Sequence, residues 1–198
     1  YYDFRSEDEH RRQDAGSLNL KGRMTTGSVT HDLSFGVLAS RVRNRFNPSA
    51  FNYAGPGHVD GGVVVPPAPL PVAPGTNRDE RSLEFSLADA IQWTPQWGTW
   101  LGVRHTRLDR DTVLTDGTNA TGYDQAITSP MAAVTYKFDG GVVAYAGWGR
   151  GAESAQVPNN GLYTNPGVVL PALRSTQVEV GLRGGDAATG WELTAFRI

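Results

Sequence analysis

Residues 142–183 read VVAYAGWGRGAESAQVPNNGLYTNPGVVLPALRSTQVEVGLR, two alternating segments separated by a loop rich in Asn, Pro and Gly. In the second segment, from 176 to 183, the residues at even positions form an apolar row and those at odd positions form a polar row. The two rows are Thr176, Val178, Val180 and Leu182, and Gln177, Glu179, Gly181 and Arg183. Successive side chains of a strand point to opposite faces, whereas helical patterns repeat near every third or fourth residue. The stretch therefore predicts a half-buried β-strand.

The same alternation recurs in the rest of the chain. Its apolar rows are Leu18, Leu20, Gly22 and Met24; Leu33, Phe35, Val37 and Ala39; Leu83, Phe85, Leu87, Ile91 and Trp93; and Ala132, Val134, Tyr136 and Phe138. This periodicity predicts about nine strands, each joined to its neighbour in sequence. The first covers residues 1–5 and is followed by a charged turn at 7–15. The predicted fold class is all-β, an antiparallel up-and-down meander.

The predicted connections alternate in length. Short turns fall at 26–28, 94–96, 139–141 and 184–189, and long loops at 46–79, 112–127 and 153–174. Outer-membrane barrels have short periplasmic turns, longer extracellular loops and spanning strands of about 9–11 residues. Six aromatic residues near the short turns fit an interfacial girdle, namely Trp93, Trp97, Trp100, Tyr136, Phe138 and Trp191. These features predict a sheet that is part of a transmembrane β-barrel.

Composition and spacing exclude several classes of function. The net charge of -2 and the pI near 6.1 argue against a nucleic-acid binder, which carries a basic excess. The chain has no cysteine, which excludes a disulfide framework and a thiolate metal site. The histidines lie in different segments without ligand spacing, so no metal site is predicted; they are His10, His31, His58 and His105. No catalytic constellation stands out, and we expect neither an enzyme nor a covalently bound cofactor.

Two runs within the opening stretch carry a resemblance to a known family. They are GWGRGAESAQVPNN at 147–160 and LPALRSTQVEVGLR at 170–183. Together they resemble a late hairpin in the barrel of TonB-dependent outer-membrane receptors of the ferric-siderophore type. The resemblance implies an active importer of ferric siderophores in the outer membrane of a Gram-negative bacterium. Its implied partners are the TonB complex, which supplies the energy, the ferric siderophore as transported ligand, and outer-membrane lipid.

The resemblance covers a contiguous part of the C-terminal barrel. Specific motifs match only from Ala144 to Arg183. The plug domain and the TonB box of the family lie upstream of the barrel, and neither is present here. Barrels of plugged transporters have about 22 strands, so nine strands do not close one. The expected domain organisation is therefore one partial receptor barrel over residues 1–198. Tyr1 begins in a predicted strand without a signal peptide, and we expect a piece of a longer chain.

Candidate ligand-binding residues gather at the long-loop end of the predicted sheet. One group surrounds the start of the first long loop and comprises Arg43, Arg45, Phe46, Phe51, Tyr53 and His58. The other surrounds the last long loop and comprises Trp148, Arg150, Asn159, Asn160 and Tyr163. Arginine, aromatic and amide side chains suit bulky and often anionic ferric siderophores. The sequence does not identify which siderophore, or other nutrient, would bind.

Two other classes of protein share parts of this pattern. A passive outer-membrane porin would have the same strands and loop asymmetry, and a plug upstream of the barrel separates the receptor from it. A soluble carbohydrate-binding β domain would share the Trp, Tyr and Gly content, and it predicts a soluble monomer without detergent. The amino-acid sequence of the late hairpin favours the receptor.

Overall fold

The computed structural model describes residues 2–53, 60, 73–153, 157, 163–165, 168, 170, 172–186 and 188–198, with backbone alone for 2–4 and 51–53. The described residues form ten β-strands: β1 Tyr2–Arg5, β2 His10–Thr26, β3 Val29–Arg45, β4 Ala50–Tyr53, β5 Thr76–Gln92, β6 Trp97–Leu114, β7 Thr121–Lys137, β8 Val143–Glu153, β9 Leu173–Gly185 and β10 Gly190–Arg197. No helix among these residues is long and apolar enough to cross a membrane.

Eight of the strands form one antiparallel sheet, which we call the wall. Its order is β10-β9-β8-β7-β6-β5-β3-β2, so the chain moves steadily from one edge of the sheet to the other. The prediction of an all-β antiparallel meander is thereby confirmed. Among the described strands the wall does not close, because β2 and β10 are each paired on one side alone.

The first strand is placed differently from the prediction. Residues 2–5 do form a strand, but β1 pairs with β4 and not with β2. The predicted turn at 7–15 was wrong, since β2 begins at His10 and pairs there with Arg45. The break between β1 and β2 covers only residues 6–9, and the pairing of Arg5 with Ala50 extends the β2–β3 hairpin beyond the wall.

Polar residues explain why the strands are longer than predicted. The strands from β2 to β7 have 17 or 18 residues, apart from the four-residue β4. The loop predicted at 112–127 was too long, since the structure leaves only 115–120 between β6 and β7. The ladder of backbone hydrogen bonds continues past the apolar rows into charged residues, where alternation of hydrophobicity no longer marks a strand.

The register aligns the apolar rows of neighbouring strands on one face, which we call the apolar face. Phe35 lies between Leu20 and Leu87, and Leu87 is in turn opposite Val103. These side chains are exposed, with Phe85 at 43% and Leu87 at 53%. The alternate residues of β5, which lie on the polar face, are half-buried from position 82 to 88. The polar face is therefore the more enclosed side of the wall.

The short turns and their aromatic residues lie together at one end of the wall. A two-residue turn joins β2 to β3, and its first residue, Gly27, has a φ of 61°, which suits a type II′ hairpin. Trp97 and Tyr136 have ring centroids 4.8 Å apart, and Phe138 is a further 4.8 Å from Tyr136. Trp100 departs from the predicted girdle, because its parity places it on the polar face, opposite Ala90 and Ala133.

Candidate functional site

Arg43 and Arg45, from the first predicted group, lie at the end of β3 beyond the apolar rows. Both guanidinium groups pair with the same carboxylate, that of Asp79 on β5, with Arg43 Nε 3.4 Å from Oδ1 and Arg45 bound to Oδ2. Arg45 also donates to the backbone carbonyl oxygen of Arg78 at 3.1 Å. Asp111 stands directly opposite Asp79 on β6, so the two arginines face two carboxylates at this end of the wall.

Phe46 continues this group into the loop after β3. Its backbone N–H donates to Oδ1 of Asn77 at 2.8 Å, which holds the chain against the start of β5. Its ring faces the guanidinium of Arg11, whose Cζ lies 5.2 Å from the ring centroid, a cation–π arrangement. Phe46 is thus adjacent to the arginines that precede it.

The remaining members of the first group lie further along the same loop. Phe51 and Tyr53 are in β4, opposite Phe4 and Tyr2 of β1, so they extend from the wall on the two-stranded ribbon. His58 lies outside the described residues. The structure therefore joins Arg43, Arg45 and Phe46 and places Phe51 and Tyr53 beyond them.

The second predicted group is centred on β8. The Arg150 guanidinium lies over the indole of Trp148, with Cζ 5.6 Å from the ring centroid. Tyr163 lies in an exposed bend of the following loop, and Asn159 and Asn160 lie outside the described residues. Because β3 and β8 are four positions apart in the wall, about 19 Å separates the two groups. They do not meet in one site on the wall.

Register also decides which face these side chains share. In β3, Arg43 and Arg45 point to the same face as Phe35. In β8, Trp148 stands opposite Val178 and Arg150 opposite Thr176, which belong to the apolar row of β9. All four side chains therefore lie on the apolar face. They occupy the end of that face nearest the long loops. The polar face carries a different set of charged residues, which the sequence analysis did not single out.

One such cluster is centred on Glu80, in the loop-end half of β5. Nε of Arg110 donates to Glu80 Oε2 at 2.6 Å, and Arg78 binds the same oxygen. The Arg110 guanidinium also lies 5.5 Å from the ring centroid of Tyr123, which is buried. The signal in the sequence was the parity of β5 and β6, but Arg78 had been assigned to the loop at 46–79, and which residues of the two strands stand opposite each other is set by the register.

A second polar-face pair lies two same-face positions further along β5, at Glu84. Glu84 accepts hydrogen bonds from the hydroxyl of Thr106 at 3.2 Å, and Nε of Arg104 lies 3.2 Å from its other oxygen. Together with the Glu80 cluster, this pair forms a ladder of alternating charges up the polar face.

The polar face also contains a shallow groove over β8. Its volume is about 320 Å³, and its floor is formed by Gly147, Gly149 and Gly151, which share one parity. Trp100 and Met131 line one side, and Ser175, Gln177 and Glu179 line the other. Because these glycines have no side chains, Glu179 and Ser175 lie close over Gly147 and Gly151, and the backbone is most accessible at Gly149.

The loop between β6 and β7 is anchored at the same end of the wall. The hydroxyl and backbone N–H of Thr118 donate to Asp116 Oδ1 at 2.6 and 2.9 Å, and these bonds hold the pKa of the Asp116 carboxyl below its usual range. The backbone N–H of Thr115 donates to the carbonyl of Gly75 at 3.0 Å. The loop between β6 and β7 is therefore ordered by local hydrogen bonds.

Within the described part of the chain, no group of three or more His, Asp or Glu side chains is arranged to hold a metal ion. The polar face offers arginines, carboxylates, Trp100 and the shallow groove over β8. This surface can contact a bulky polar ligand or a segment of protein, by hydrogen bonds and stacking.

A family model described as TonB dependent receptor-like, beta-barrel, matches residues 1–198. No curated protein sequence matches the chain. Among solved structures, the chain is similar to BauA, the ferric preacinetobactin receptor from Acinetobacter baumannii, with 22% identity, a TM-score of 0.67 and coverage of 94% of this chain and 28% of that one. It is also similar to Fiu, the ferric-catecholate import receptor of E. coli K12, with 15% identity, a TM-score of 0.75 and coverage of 96% and 31%.

A third similar structure is PiuA, a siderophore receptor from Acinetobacter baumannii, with 16% identity, a TM-score of 0.67 and coverage of 95% of this chain and 31% of that one. At these identities the likeness shows a shared fold. The chain spans about three tenths of the length of these solved receptors.

Proposed function

Because the chain belongs to the TonB-dependent receptor β-barrel family, we propose that it is part of an outer-membrane transporter that imports a ferric siderophore. The observation that carries this proposal is the family match over residues 1–198. Solved proteins of the same fold support the ligand class, since BauA is a receptor for ferric preacinetobactin and Fiu for ferric catecholates. The transporter forms and breaks no covalent bond.

We further propose that the wall is one sector of a larger closed barrel in the outer membrane of a Gram-negative bacterium. An open edge in lipid would leave a row of unpaired N–H and C=O groups, which the bilayer does not satisfy. Both β2 and β10 would present such an edge. Barrels of this class have about 22 strands, and further strands would pair with both edges. A plug domain and a TonB box are proposed to lie outside residues 1–198.

The two faces give the wall its orientation in this proposal. The apolar face, with its exposed Phe85 and Leu87, contacts lipid, and the polar face lines the barrel interior. The Glu80 and Glu84 clusters and the groove over β8 then border the transport path. The long loops lie at the extracellular end and the short turns at the periplasmic end.

The predicted ligand-binding residues remain proposals within this arrangement. The rim groups around Phe46 and Trp148 have the parity of the lipid-facing side, so they would contact the ferric siderophore from the outer rim of the barrel mouth, above the lipid, through aromatic faces and arginine donors. Trp100, in the groove wall, is an additional interior candidate. The TonB complex would supply the energy through the plug. A passive porin would share the wall, and we favour the receptor because the matching family model is that of a receptor.

Equilibrium binding tests the ligand class directly. The complete receptor, purified in detergent, is titrated with ferric catecholate, hydroxamate and carboxylate siderophores while tryptophan fluorescence is recorded. One class is expected to quench the fluorescence with submicromolar affinity, and the iron-free form of the same siderophore is expected to bind more weakly. If no ferric siderophore binds, the proposed ligand is wrong, although the assignment to the receptor family still holds.

A further inference from the structure

The seam between β7 and β8 closes along only part of its length. The ladder between the two strands ends at the pair Met131 and Gly149, although β7 begins at Thr121 and β8 ends at Glu153. Beyond that pair, within the described residues, β7 stays paired with β6 alone and β8 with β9 alone. The two strands therefore separate towards the long-loop end of the wall, and we call the gap between them the fork.

A proline explains where the fork begins. The N–H of Lys137 donates to the carbonyl oxygen of Gln96 at 2.9 Å, on the β6 side of β7. Backbone groups alternate between the two sides of a strand and the β6–β7 register is continuous, so the even-numbered residues of β7 direct theirs towards β8. Pro130 is such a residue and has no N–H to donate. Ala126 and Thr128 lie beyond it towards the long-loop end, and their backbone groups form what we call the free edge.

The free edge is accessible to water. Both of its residues are exposed, and no described residue pairs with them from the β8 side. On β6, Val103 is opposite Pro130 and ends the apolar row, and His105 and Arg107 follow it. The fork therefore starts where the apolar face ends. Unpaired N–H and C=O groups are tolerated there because water solvates them, whereas the core of a bilayer would not.

The hairpin of β8 and β9 leans away from the free edge. The backbone N–H of Ala172, just before β9, donates to Oε1 of Gln125 at 3.2 Å, and the same oxygen accepts the hydroxyl of Tyr123 at 2.7 Å. Gln125 lies on the polar face of β7, and β9 is two strand spacings, about 10 Å, from β7 in a flat sheet. The bond to Ala172 therefore requires the hairpin to lean over the polar face. That leaves the free edge open on the outer side of the wall.

A cation without an ion pair borders the fork on its other side. Arg150 follows the last residue of β8 that pairs with β7, and its guanidinium lies over the indole of Trp148. Within the described residues no carboxylate binds it. Arg107 on β6 differs, because its guanidinium binds Asp124 at 3.0 Å. A segment that enters the fork would gain a charged hydrogen bond by carrying a carboxylate.

We propose that the fork binds an extended segment of an extracellular polypeptide, which pairs with the free edge of β7 as an added strand and offers a carboxylate to Arg150. Strand addition of this kind takes its affinity from main-chain hydrogen bonds and its selectivity from the side chains beside the edge. Ala126 and Thr128 each provide an N–H donor and a carbonyl acceptor. This inference rests on the proposed placement of the wall in a membrane, which puts the fork outside the cell.

A second copy of the receptor does not fit this role. Two copies in one membrane are related by an axis along the membrane normal, and barrel strands tilt by about 40° from such an axis. Their β7 strands would then cross at about 80°, far beyond the angle between paired strands. The segment must therefore come from another polypeptide, in an extended conformation and without a proline opposite the free edge.

The test uses the complete receptor in detergent and a fluorescein-labelled probe peptide, Thr-Val-Thr-Glu-Thr-Val-Thr, whose residues favour strands apart from its one carboxylate. Fluorescence polarisation measures the affinity. A version that is N-methylated throughout keeps the side chains but cannot donate to the free edge. We expect it to bind at least about tenfold more weakly, because main-chain hydrogen bonds are lost. The amides of Ala126 and Thr128 should exchange fast in the receptor alone and slowly when the peptide is bound.

Two pairs of variants locate the binding. Thr128→Pro removes an N–H of the free edge, whereas the control Thr128→Ala keeps it, and both lose the hydroxyl that lies 2.9 Å from Nδ1 of His105. We expect about fivefold weaker binding for the first and wild-type binding for the second. Arg150→Gln should weaken binding, and replacing the peptide's glutamate by glutamine should then cause no further loss. The control Arg183→Gln removes the same charge at the short-turn end and should bind as the wild type does. Heat-modifiable gel mobility establishes that each variant is folded.

The proposal is overturned if the peptide does not bind at millimolar concentration, if the N-methylated peptide binds as tightly, or if the members of either variant pair lose affinity equally. It is also overturned if the amides of the free edge are already protected in the receptor alone, because the receptor itself then occupies the fork.

Ferric-siderophore binding, measured on the same preparations, distinguishes this proposal from the transport proposal. A receptor that binds the ferric siderophore but not the peptide contradicts the fork site alone. A receptor that binds the peptide at the free edge but binds no ferric siderophore contradicts the proposed ligand alone.

Discussion

The assignment of the two faces predicts opposite effects for the same substitution at neighbouring positions. Leu87 lies midway between Leu83 and Ile91 on the apolar face, and Ala88 follows it on the polar face. Eight residues of strand cover about 26 Å, or about 20 Å of height at a tilt near 40°, which puts Leu87 about halfway across the apolar layer. Leu87→Arg therefore places a charge near the bilayer midplane.

The expected cost follows from that depth. An arginine at the midplane of a membrane barrel destabilises it by about 2–4 kcal/mol, and near the interfaces by about 0–1 kcal/mol. Ala88→Arg is the matched control on the polar face, where Ala88 stands between Ser34 and Gly102 and the flexible Met131 side chain beside Gly102 can move aside. There we expect a change below about 1 kcal/mol, as for a surface substitution.

The assay is urea unfolding of the complete receptor in phosphatidylcholine vesicles, with the folded fraction read from heat-modifiable gel mobility. Leu87→Arg should lower the free energy of unfolding by the stated amount and reduce the folding yield, while Ala88→Arg should leave both close to the wild type. Equal costs for the two variants, or a larger cost for Ala88→Arg, would refute the assignment of lipid and interior faces.

Three further substitutions test contacts on the polar face and in a turn. Glu80→Gln removes the carboxylate shared by two arginines and should cost about 1–3 kcal/mol in the same unfolding assay, because Arg78 and Arg110 each lose a charged hydrogen bond. Gly181→Ala should cost about 1–3 kcal/mol by overpacking, because the new Cβ would lie 2.6 Å from the Tyr145 ring. Backbone N–H groups of Thr189 and Ala188 and the hydroxyl of Thr189 hold the pKa of Asp186 below its usual range, so Asp186→Ala should speed amide exchange in the β9–β10 turn.

These predictions have separate controls. Gly22→Ala should be tolerated, because its new Cβ would meet nothing within 4 Å, and a cost equal to that of Gly181→Ala would contradict the packing argument. Since the folded pKa of Asp186 is depressed, its stabilising effect is fully present above the unfolded pKa of about 3.9 and is lost as pH falls through the folded value. The exchange difference between wild type and Asp186→Ala should therefore vanish at low pH. A difference that persists there would contradict the role of the carboxylate.

The central part of the wall was predictable from the sequence because its residues must satisfy two environments at once. The alternation of Val178, Val180 and Leu182 with polar neighbours specifies both the strand and its faces. The outer ends of the strands were not predictable in this way. At Arg11 and Arg12 the residues of both parities are charged, so only the backbone pairing with β3 marks a strand.

The candidate site was less accessible to sequence reasoning for a similar reason. Arg43 and Trp148 were selected for their chemistry, but whether such side chains meet depends on register and on the number of strands between them. The Glu80 cluster forms across β5 and β6, and the groove over β8 requires four strands, β6 to β9, to be aligned. Contacts of this kind form only in the assembled sheet, and the local sequence pattern of one strand does not specify them.

Energised import of a ferric siderophore is the central claim, and uptake of 55Fe tests it most directly. Cells that carry the complete receptor are compared with cells that lack it and with cells that lack TonB, under iron limitation and with the siderophore that binds best in titration. The account predicts saturable uptake that requires both the receptor and TonB and stops when the proton gradient is collapsed. Uptake that requires the receptor but continues without TonB would contradict it and would identify a passive channel.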